Sequence, residues 1–183
     1  NGMFIYQLYK LHSKSPFEYE FLDTIAVDGH IGLALDVVDR IDDQPFKFGV
    51  YKITLKIDDE IQYSVSYDTY RFEDAKFIYT ERDYSLKQET GKRFYKLFNS
   101  HHNENLLFTD KSNSTGQIFS DSTFHAIEIL VEDYYHNDIS IKGTILHKQL
   151  PLLAINHDII NKIVSFRQDS LFSMETINFT KTG

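Results

Sequence analysis

Apolar and polar residues alternate along much of the chain, and this pattern predicts β-strands. Every second residue from Tyr51 to Ile57 is apolar, and the same spacing continues from Ile61 to Tyr67. Successive side chains of a strand point to opposite faces, so each run has one apolar face. An acidic connection, Asp58-Asp59-Glu60, separates the runs. The pattern therefore predicts an antiparallel hairpin with one face in water.

Further strands are predicted on both sides of this hairpin. From Ile31 to Val38 both sets of alternating residues are fairly apolar, which is typical of a central strand. A second hairpin is predicted from a strand over residues 124–131, a polar turn over 133–138, and alternation from Ile139 to Ile145. Other extended segments are predicted at residues 3–9, 17–26, 93–98, 163–166 and 176–180.

One short helix is predicted over residues 83–91, which end in Gly91. Short strands separated by turn signals, without a regular alternation of helices, predict an all-β fold: an immunoglobulin-like antiparallel β-sandwich with one short helix. Because the alternation weakens after Ile145, we expect this domain to cover residues 1–146 and a linker to cover 147–160. Residues 161–183 are expected to form strands of a second β unit or to return to the first.

Composition agrees with this fold and narrows the function. Fifteen Phe and 12 Tyr are residues that suit a pleated, half-buried surface. The net charge of −8 and the absence of a basic cluster argue against nucleic acid or an anionic membrane as a partner. No apolar run approaches the roughly 20 residues of a membrane-spanning helix. The lack of Cys excludes disulfides and thiol nucleophiles.

The histidines do not show the spacing of a zinc site. The chain has eight, at positions 12, 30, 101, 102, 125, 136, 147 and 157. None belongs to a His-x-His, His-x-x-x-Asp or His-Glu-x-x-His motif. His101 and His102 lie in a polar segment and are interpreted as solvated, whereas His125 is in phase with Ile127 and Ile129 and is interpreted as a hydrogen-bonded core or boundary residue. We therefore predict no catalytic, cofactor-binding or metal-binding residue.

Carboxylates and aromatic residues leave weaker alternatives open. Acidic clusters occur at Asp39/Asp42/Asp43, at Asp58/Asp59/Glu60 and at Glu73/Asp74, and none has the spacing of a calcium-binding loop. The Asp58-Asp59 pair is better explained by turn formation, whereas Asp39 and Asp42 could share calcium with a distant loop. The alternating Tyr and Phe residues are interpreted as core and cross-strand pairs, with a sugar-binding platform as the alternative.

A family resemblance covers about residues 4–146. It depends on an ordered series of short motifs: Gly-His-Ile-Gly-Leu-Ala at 29–34 followed by Asp39; Phe-Gly-Val-Tyr-Lys-Ile at 48–53 followed by Ile-Asp-Asp-Glu at 57–60; Tyr-Arg-Phe-Glu-Asp at 70–74 with residues 77–78 and 83–84; residues 93–98 with 105–106; and residues 125–131 with 133–137. The series resembles the β-sandwich domain that follows the peptidase domain in lysostaphin-type (LytM-like) zinc metallopeptidases of Bacteroidetes-like bacteria.

The resemblance implies a non-catalytic accessory domain in the bacterial cell envelope, periplasmic or associated with the outer membrane. In that family the zinc ligands belong to the neighbouring peptidase domain, and no position here matches them. The implied partners are the protein's own peptidase domain, an envelope protein, peptidoglycan or another glycan. The chain also begins with a predicted strand, so we expect it to be a fragment of a longer protein. The alternatives are a carbohydrate-binding or adhesive module and a hydrolase whose acids come together from distant positions.

Overall fold

The computed structural model describes residues 6–27, 31–40, 45–69, 71–77, 81–99, 116, 118, 121–147 and 170–180. The strands are β1 (Tyr6–Tyr9), β2 (His12–Ser15), β3 (Glu18–Glu20), β4 (Ile25–Val27), β5 (Ile31–Arg40), β6 (Lys52–Ile57), β7 (Glu60–Ser66), β8 (Phe94–Lys96), β9 (Phe124–Glu132), β10 (Asp138–His147) and β11 (Ser170–Thr180). A 3₁₀ helix spans Phe72–Phe77, and the α-helix α1 spans Tyr84–Thr90. No helix in these ranges is long and apolar enough to cross a membrane.

The strands form two mixed sheets around a shared hydrophobic core. One sheet has the order β1-β11-β5-β8, and the other has the order β2-β3-β10-β9-β6-β7, with β4 also paired to β10. Leu33 and Leu35 of β5 belong to the same buried cluster as Ile53 of β6 and Ile129 of β9. Burial of these apolar faces against one another is the main stabilising contribution to such a fold. The predicted all-β class is therefore confirmed.

Both predicted hairpins are present. Strands β6 and β7 pair in antiparallel fashion, as do β9 and β10. In the first hairpin Asp58 and Asp59 have φ angles of 50° and 68°. A two-residue turn with positive φ at both positions has the twist that a hairpin needs, and Asp is among the residues that tolerate this conformation. The assignment of Asp58-Asp59 to turn formation is confirmed.

The predicted division of the first hairpin into a dry face and a wet face is partly wrong. Thr54 and Ser64 were expected in water, but they are 6% and 5% exposed and their hydroxyls lie 3.3 Å apart in a hydrogen bond. Ile61 was expected in the core, but its side chain is 52% exposed. The exposure of Ile61 follows from a register shift between Leu55 and Lys56, which pairs Ile61 with Lys56. One extra residue in a strand reverses the face of the residues beyond it.

The expectation of purely antiparallel sheets is wrong. Strand β11 runs parallel to both β1 and β5, and β10 runs parallel to β3 and β4. Alternation along a segment reveals a strand but not the direction of a partner that is distant in the sequence.

Residues 148–169, which include most of the predicted linker, lie outside the described residues, as does the strand predicted at 163–166.

The predicted helix is confirmed and has both expected caps. The Asp83 carboxylate accepts a hydrogen bond from the Leu86 backbone N–H at 2.8 Å. Gly91 adopts φ 71°, and its N–H donates to the Lys87 carbonyl at 2.9 Å. Leu86 packs with Ala34 and Phe94 in a second small hydrophobic cluster. The caps therefore fix the residues on either side of the helix, which are the residues that line the cleft described next.

Candidate functional site

A cleft of about 560 Å³ opens beside the end of β5 and carries four cationic side chains. These are Lys47, Arg82, Lys92 and Arg93. Asp36 is the one carboxylate among the described lining residues, and it is buried. We call this feature the cationic cleft.

Local structure explains how residues distant in the sequence meet there. Arg82 comes immediately before Asp83, the N-cap of α1, and Lys92 and Arg93 follow its C-cap, Gly91. The two ends of one short helix thus supply three of the cations. The fourth, Lys47, lies in the segment before β6.

The segment that carries Lys47 is held against β5 by backbone hydrogen bonds. The Asp39 N–H donates to the Phe48 carbonyl at 3.0 Å, and the Phe48 N–H donates to the Asp39 carbonyl at 2.9 Å. Two residues further on, the Val50 N–H donates to the Tyr95 hydroxyl at 3.2 Å. These bonds connect three walls of the cleft, so its shape is part of the folded framework.

Tyr95 also orients one of the cations. Its ring is 2% exposed, and the guanidinium of Arg82 lies over the ring face. Stacking of a guanidinium on an aromatic ring restricts the arginine side chain and contributes a cation–π attraction. The Nη1 atom of Arg82 is buried and has no hydrogen-bond partner in the described structure.

The cations of the cleft differ from those of the larger sheet in forming no salt bridge with any described residue. Within the described ranges, none of the four makes a salt bridge. On the larger sheet, by contrast, Lys56 Nζ lies 3.0 Å from the Glu128 carboxylate and Lys52 Nζ lies 3.7 Å from the Glu132 carboxylate. A chain of net charge −8 therefore has a local excess of positive charge in a concave site.

His125 is clamped between two carboxylates beside the β6–β7 turn. Its Nδ1 atom lies 2.6 Å from Asp58 Oδ2, and its Nε2 atom lies 2.9 Å from Asp121 Oδ1. Thr123 Oγ1 donates to the same Asp121 oxygen at 2.7 Å. The imidazole side chain is 17% exposed. The interpretation of His125 as a hydrogen-bonded boundary residue is confirmed.

The clamp shifts the ionisation of all three groups. Hydrogen bonds to Asp58 and then to Asp121 raise the pKa of His125. The hydrogen bond from His125 lowers the pKa of Asp58 and holds that of Asp121 well below its usual range. The cluster favours an imidazolium between two carboxylates, which ties the β6–β7 turn to the segment before β9.

The remaining predicted candidates are dispersed. Asp39 makes the backbone pair with Phe48, and Glu73 and Asp74 lie in the first turn of the 3₁₀ helix. His101, His102, Asp42 and Asp43 lie outside the described residues, so the calcium alternative for Asp39 and Asp42 stays a prediction. The described ranges contain no group of three His, Cys, Asp or Glu side chains placed to hold a metal ion.

Sequence reasoning missed a buried carboxylate and the cationic cleft. Glu81 is 2% exposed, and its Oε2 accepts a hydrogen bond from the Tyr63 hydroxyl at 3.2 Å. Burial raises the pKa of Glu81. For the cleft, the adjacent pair Lys92-Arg93 just after a predicted helix was the one local signal available.

Two exposed tyrosines of the β9–β10 turn pack with the half-buried Tyr51, which lies just before β6. The ring centroids of Tyr51 and Tyr134 are 5.7 Å apart, and those of Tyr134 and Tyr135 are 5.8 Å apart, both in edge-to-face geometry. Tyr134 and Tyr135 are 69% and 67% exposed. We call these three residues the tyrosine patch. Other rings, such as those of Tyr63 and Phe94, are buried as the core interpretation predicted.

The turn beneath the patch is held by Asp133, which is 5% exposed. Its Oδ1 atom accepts hydrogen bonds from the backbone N–H groups of Tyr135 and Asn137, at 2.8 and 2.9 Å. Its Oδ2 atom accepts from the Asn137 side-chain amide at 2.6 Å. The backbone that carries the exposed rings is therefore well fixed.

Comparison with known proteins gives no further assignment. No protein-family model matches the chain, and no curated protein matches it.

Proposed function

We propose that this chain is a non-catalytic accessory domain of a cell-envelope zinc metallopeptidase directed at peptidoglycan. In this role it positions or regulates the peptidase domain, or contacts the wall or an envelope protein. The proposal places the protein in the bacterial periplasm or at the outer membrane. It includes an immunoglobulin-like form of the β-sandwich, which two sheets around one core support.

The observation that carries the proposal is the ordered series of motifs. The first motif enters β5, the second leads into β6 and its turn, and the last covers β9 and the turn that follows. Motifs that lie on framework strands in the expected order support a resemblance of whole domains more strongly than the same residues in unrelated loops. Function still depends on a site rather than on a fold, so a direct test is needed.

The test uses the purified chain, isolated peptidoglycan sacculi and a lysostaphin-type peptidase domain. We expect the chain to sediment with the sacculi, or to change the kcat/KM of the peptidase when added in trans. A heat-unfolded sample of the chain provides the control. If the folded chain neither sediments with sacculi nor alters the peptidase rate, the accessory role is wrong.

The tyrosine patch favours a second candidate function, a carbohydrate-binding or adhesive module. Exposed aromatic rings on a fixed turn present apolar faces with a polar hydroxyl at the tip, which suits sugar rings. In a glycan array, Tyr134→Ala is expected to lose the signal. Phe124→Ala, which removes a ring that is also 67% exposed but lies on β9, is expected to retain it. An array without any signal for the unchanged chain would rule out this function.

A further inference from the structure

We propose that the cationic cleft binds a small molecule that carries two or more negative charges on oxyanion groups. The shared chemistry is that of phosphate and carboxylate oxygens. This inference goes beyond the accessory role and does not depend on it. It rests on charge, on donor geometry and on size.

The charge balance of the cleft is the first argument. Four cations and the single described acid Asp36 leave a surplus of 4 − 1 = 3 positive charges. Like charges brought together without partners repel one another, and a concave wall of low dielectric strengthens that repulsion. A multiply charged anion would relieve it. A single chloride ion would compensate only part of the surplus.

Donor geometry is the second argument. Two of the cations, Arg82 and Arg93, are arginines, whose planar guanidinium groups bind carboxylate or phosphate through two parallel hydrogen bonds. Arg82 is held over the Tyr95 ring, so little conformational freedom would be lost on binding.

Size is the third argument. A volume of about 560 Å³ falls within the usual range for small-molecule sites. An extended polyanion such as nucleic acid would meet the rest of a surface whose net charge is −8, and it would be repelled. The cleft therefore fits a compact polyanion better than a polymer.

Isothermal titration calorimetry of the full chain tests the proposal, with pyrophosphate and citrate as probes. Ionic strength is kept constant with sodium chloride so that general screening does not change. We expect saturable binding at one site. Lys92→Ala and Arg93→Ala should each weaken it about tenfold, since each removes a charge-assisted hydrogen bond.

Matched controls remove the same charge elsewhere. Lys14→Ala and Lys142→Ala remove cations that pair with Glu20 and Glu128 outside the cleft. Each should change the dissociation constant by no more than about twofold, the size of a surface effect. Arg82→Lys keeps the charge but loses the planar donor pair, so it should weaken binding; its melting temperature measures separately the loss of the stacking on Tyr95.

The outcomes separate the two ligand chemistries and can overturn the site. Tighter binding of pyrophosphate than of citrate would identify a phosphate ligand, and the reverse would identify a polycarboxylate; both support the proposal. Two results would overturn it: no saturable binding of either probe at millimolar concentration, or equal weakening by cleft and control variants. Because peptidase and sacculi are absent from this experiment, its failure would leave the accessory role standing.

Discussion

The ring of Phe21 lies over Gly143 at a distance that leaves no room for a side chain on the glycine. A Cβ atom at Gly143 would overlap the Cζ atom of the Phe21 ring. Phe21 is 4% exposed, and its N–H donates to the Lys142 carbonyl at 3.1 Å, next to the glycine. Gly143 is therefore the place where the segment after β3 packs closely on β10.

We predict that Gly143→Ala destabilises the fold by about 1–3 kcal/mol, because a buried ring must move. Urea unfolding measures the loss. In a double-mutant cycle, Phe21→Leu should recover part of the cost of Gly143→Ala, since the smaller side chain leaves space. Unchanged stability in Gly143→Ala would show that the two residues do not pack in this way.

The clamp around His125 predicts a pH dependence. Its pKa is raised in the folded chain above the value of about 6.5 expected when unfolded, so the folded state binds the proton more tightly. The stabilisation is fully present below about pH 6.5 and is lost as pH rises through the folded pKa. At higher pH one ring nitrogen becomes an acceptor that faces a carboxylate.

Melting temperatures of the unchanged chain and of His125→Gln, measured from pH 5.5 to 9, test this dependence. The difference between the two should shrink as pH rises, because the variant lacks the imidazolium. Both chains contain the seven other histidines, so their contribution to the pH dependence cancels in the difference between the two melting temperatures. A constant difference over the whole pH range would contradict the clamp.

The hydrogen bond between Tyr63 and Glu81 should stabilise the core, so its removal should lower the stability of the fold. Tyr63→Phe removes the hydroxyl that donates to a buried carboxylate. We expect a loss of about 1–3 kcal/mol in the free energy of unfolding. The same substitution in a Glu81→Gln background should cost less, because the charge is gone. Equal costs in the two backgrounds would show that the hydroxyl contributes independently of Glu81.

The turn after β9 places His136 in a conformation that favours glycine. Its φ is 64°, and its exposed side chain lies 3.5 Å from the Glu132 carboxylate and edge-to-face with the Tyr51 ring. His136→Gly should retain the stability of the unchanged chain, whereas His136→Val should lose about 1–2 kcal/mol, because a β-branched residue is strained there. Thermal unfolding of both variants measures this order. A valine variant as stable as the glycine variant would contradict it.

Local features of the sequence predicted the elements but not how they associate. Alternation around Asp58 and the cap signals at Asp83 and Gly91 are local, and the structure contains the hairpin and the helix that they predict. The parallel pairing of β5 with β11 joins strands more than a hundred residues apart, and nothing in either segment indicates its partner. Local alternation also does not reveal a one-residue register shift, such as the one that turns Ile61 to solvent.

The candidate sites were unpredictable for the same reason. His125 could be interpreted as a boundary residue from its phase, but its partner Asp58 is 67 residues away. The cations of the cleft come from separate segments, and the helix caps and the Asp39–Phe48 pairing bring them together. Tertiary structure creates this concentration of charge, so the search for a basic cluster along the sequence could not find it.

The most direct test of the account is a hydrolysis assay with the purified chain, zinc and cross-linked peptidoglycan peptides. A lysostaphin-type peptidase provides the positive control, and a chelator is added to matched samples. If the chain is the proposed accessory domain, and catalysis belongs to a separate peptidase domain, we expect no turnover above the rate without protein. Measurable turnover that the chelator abolishes would contradict the account.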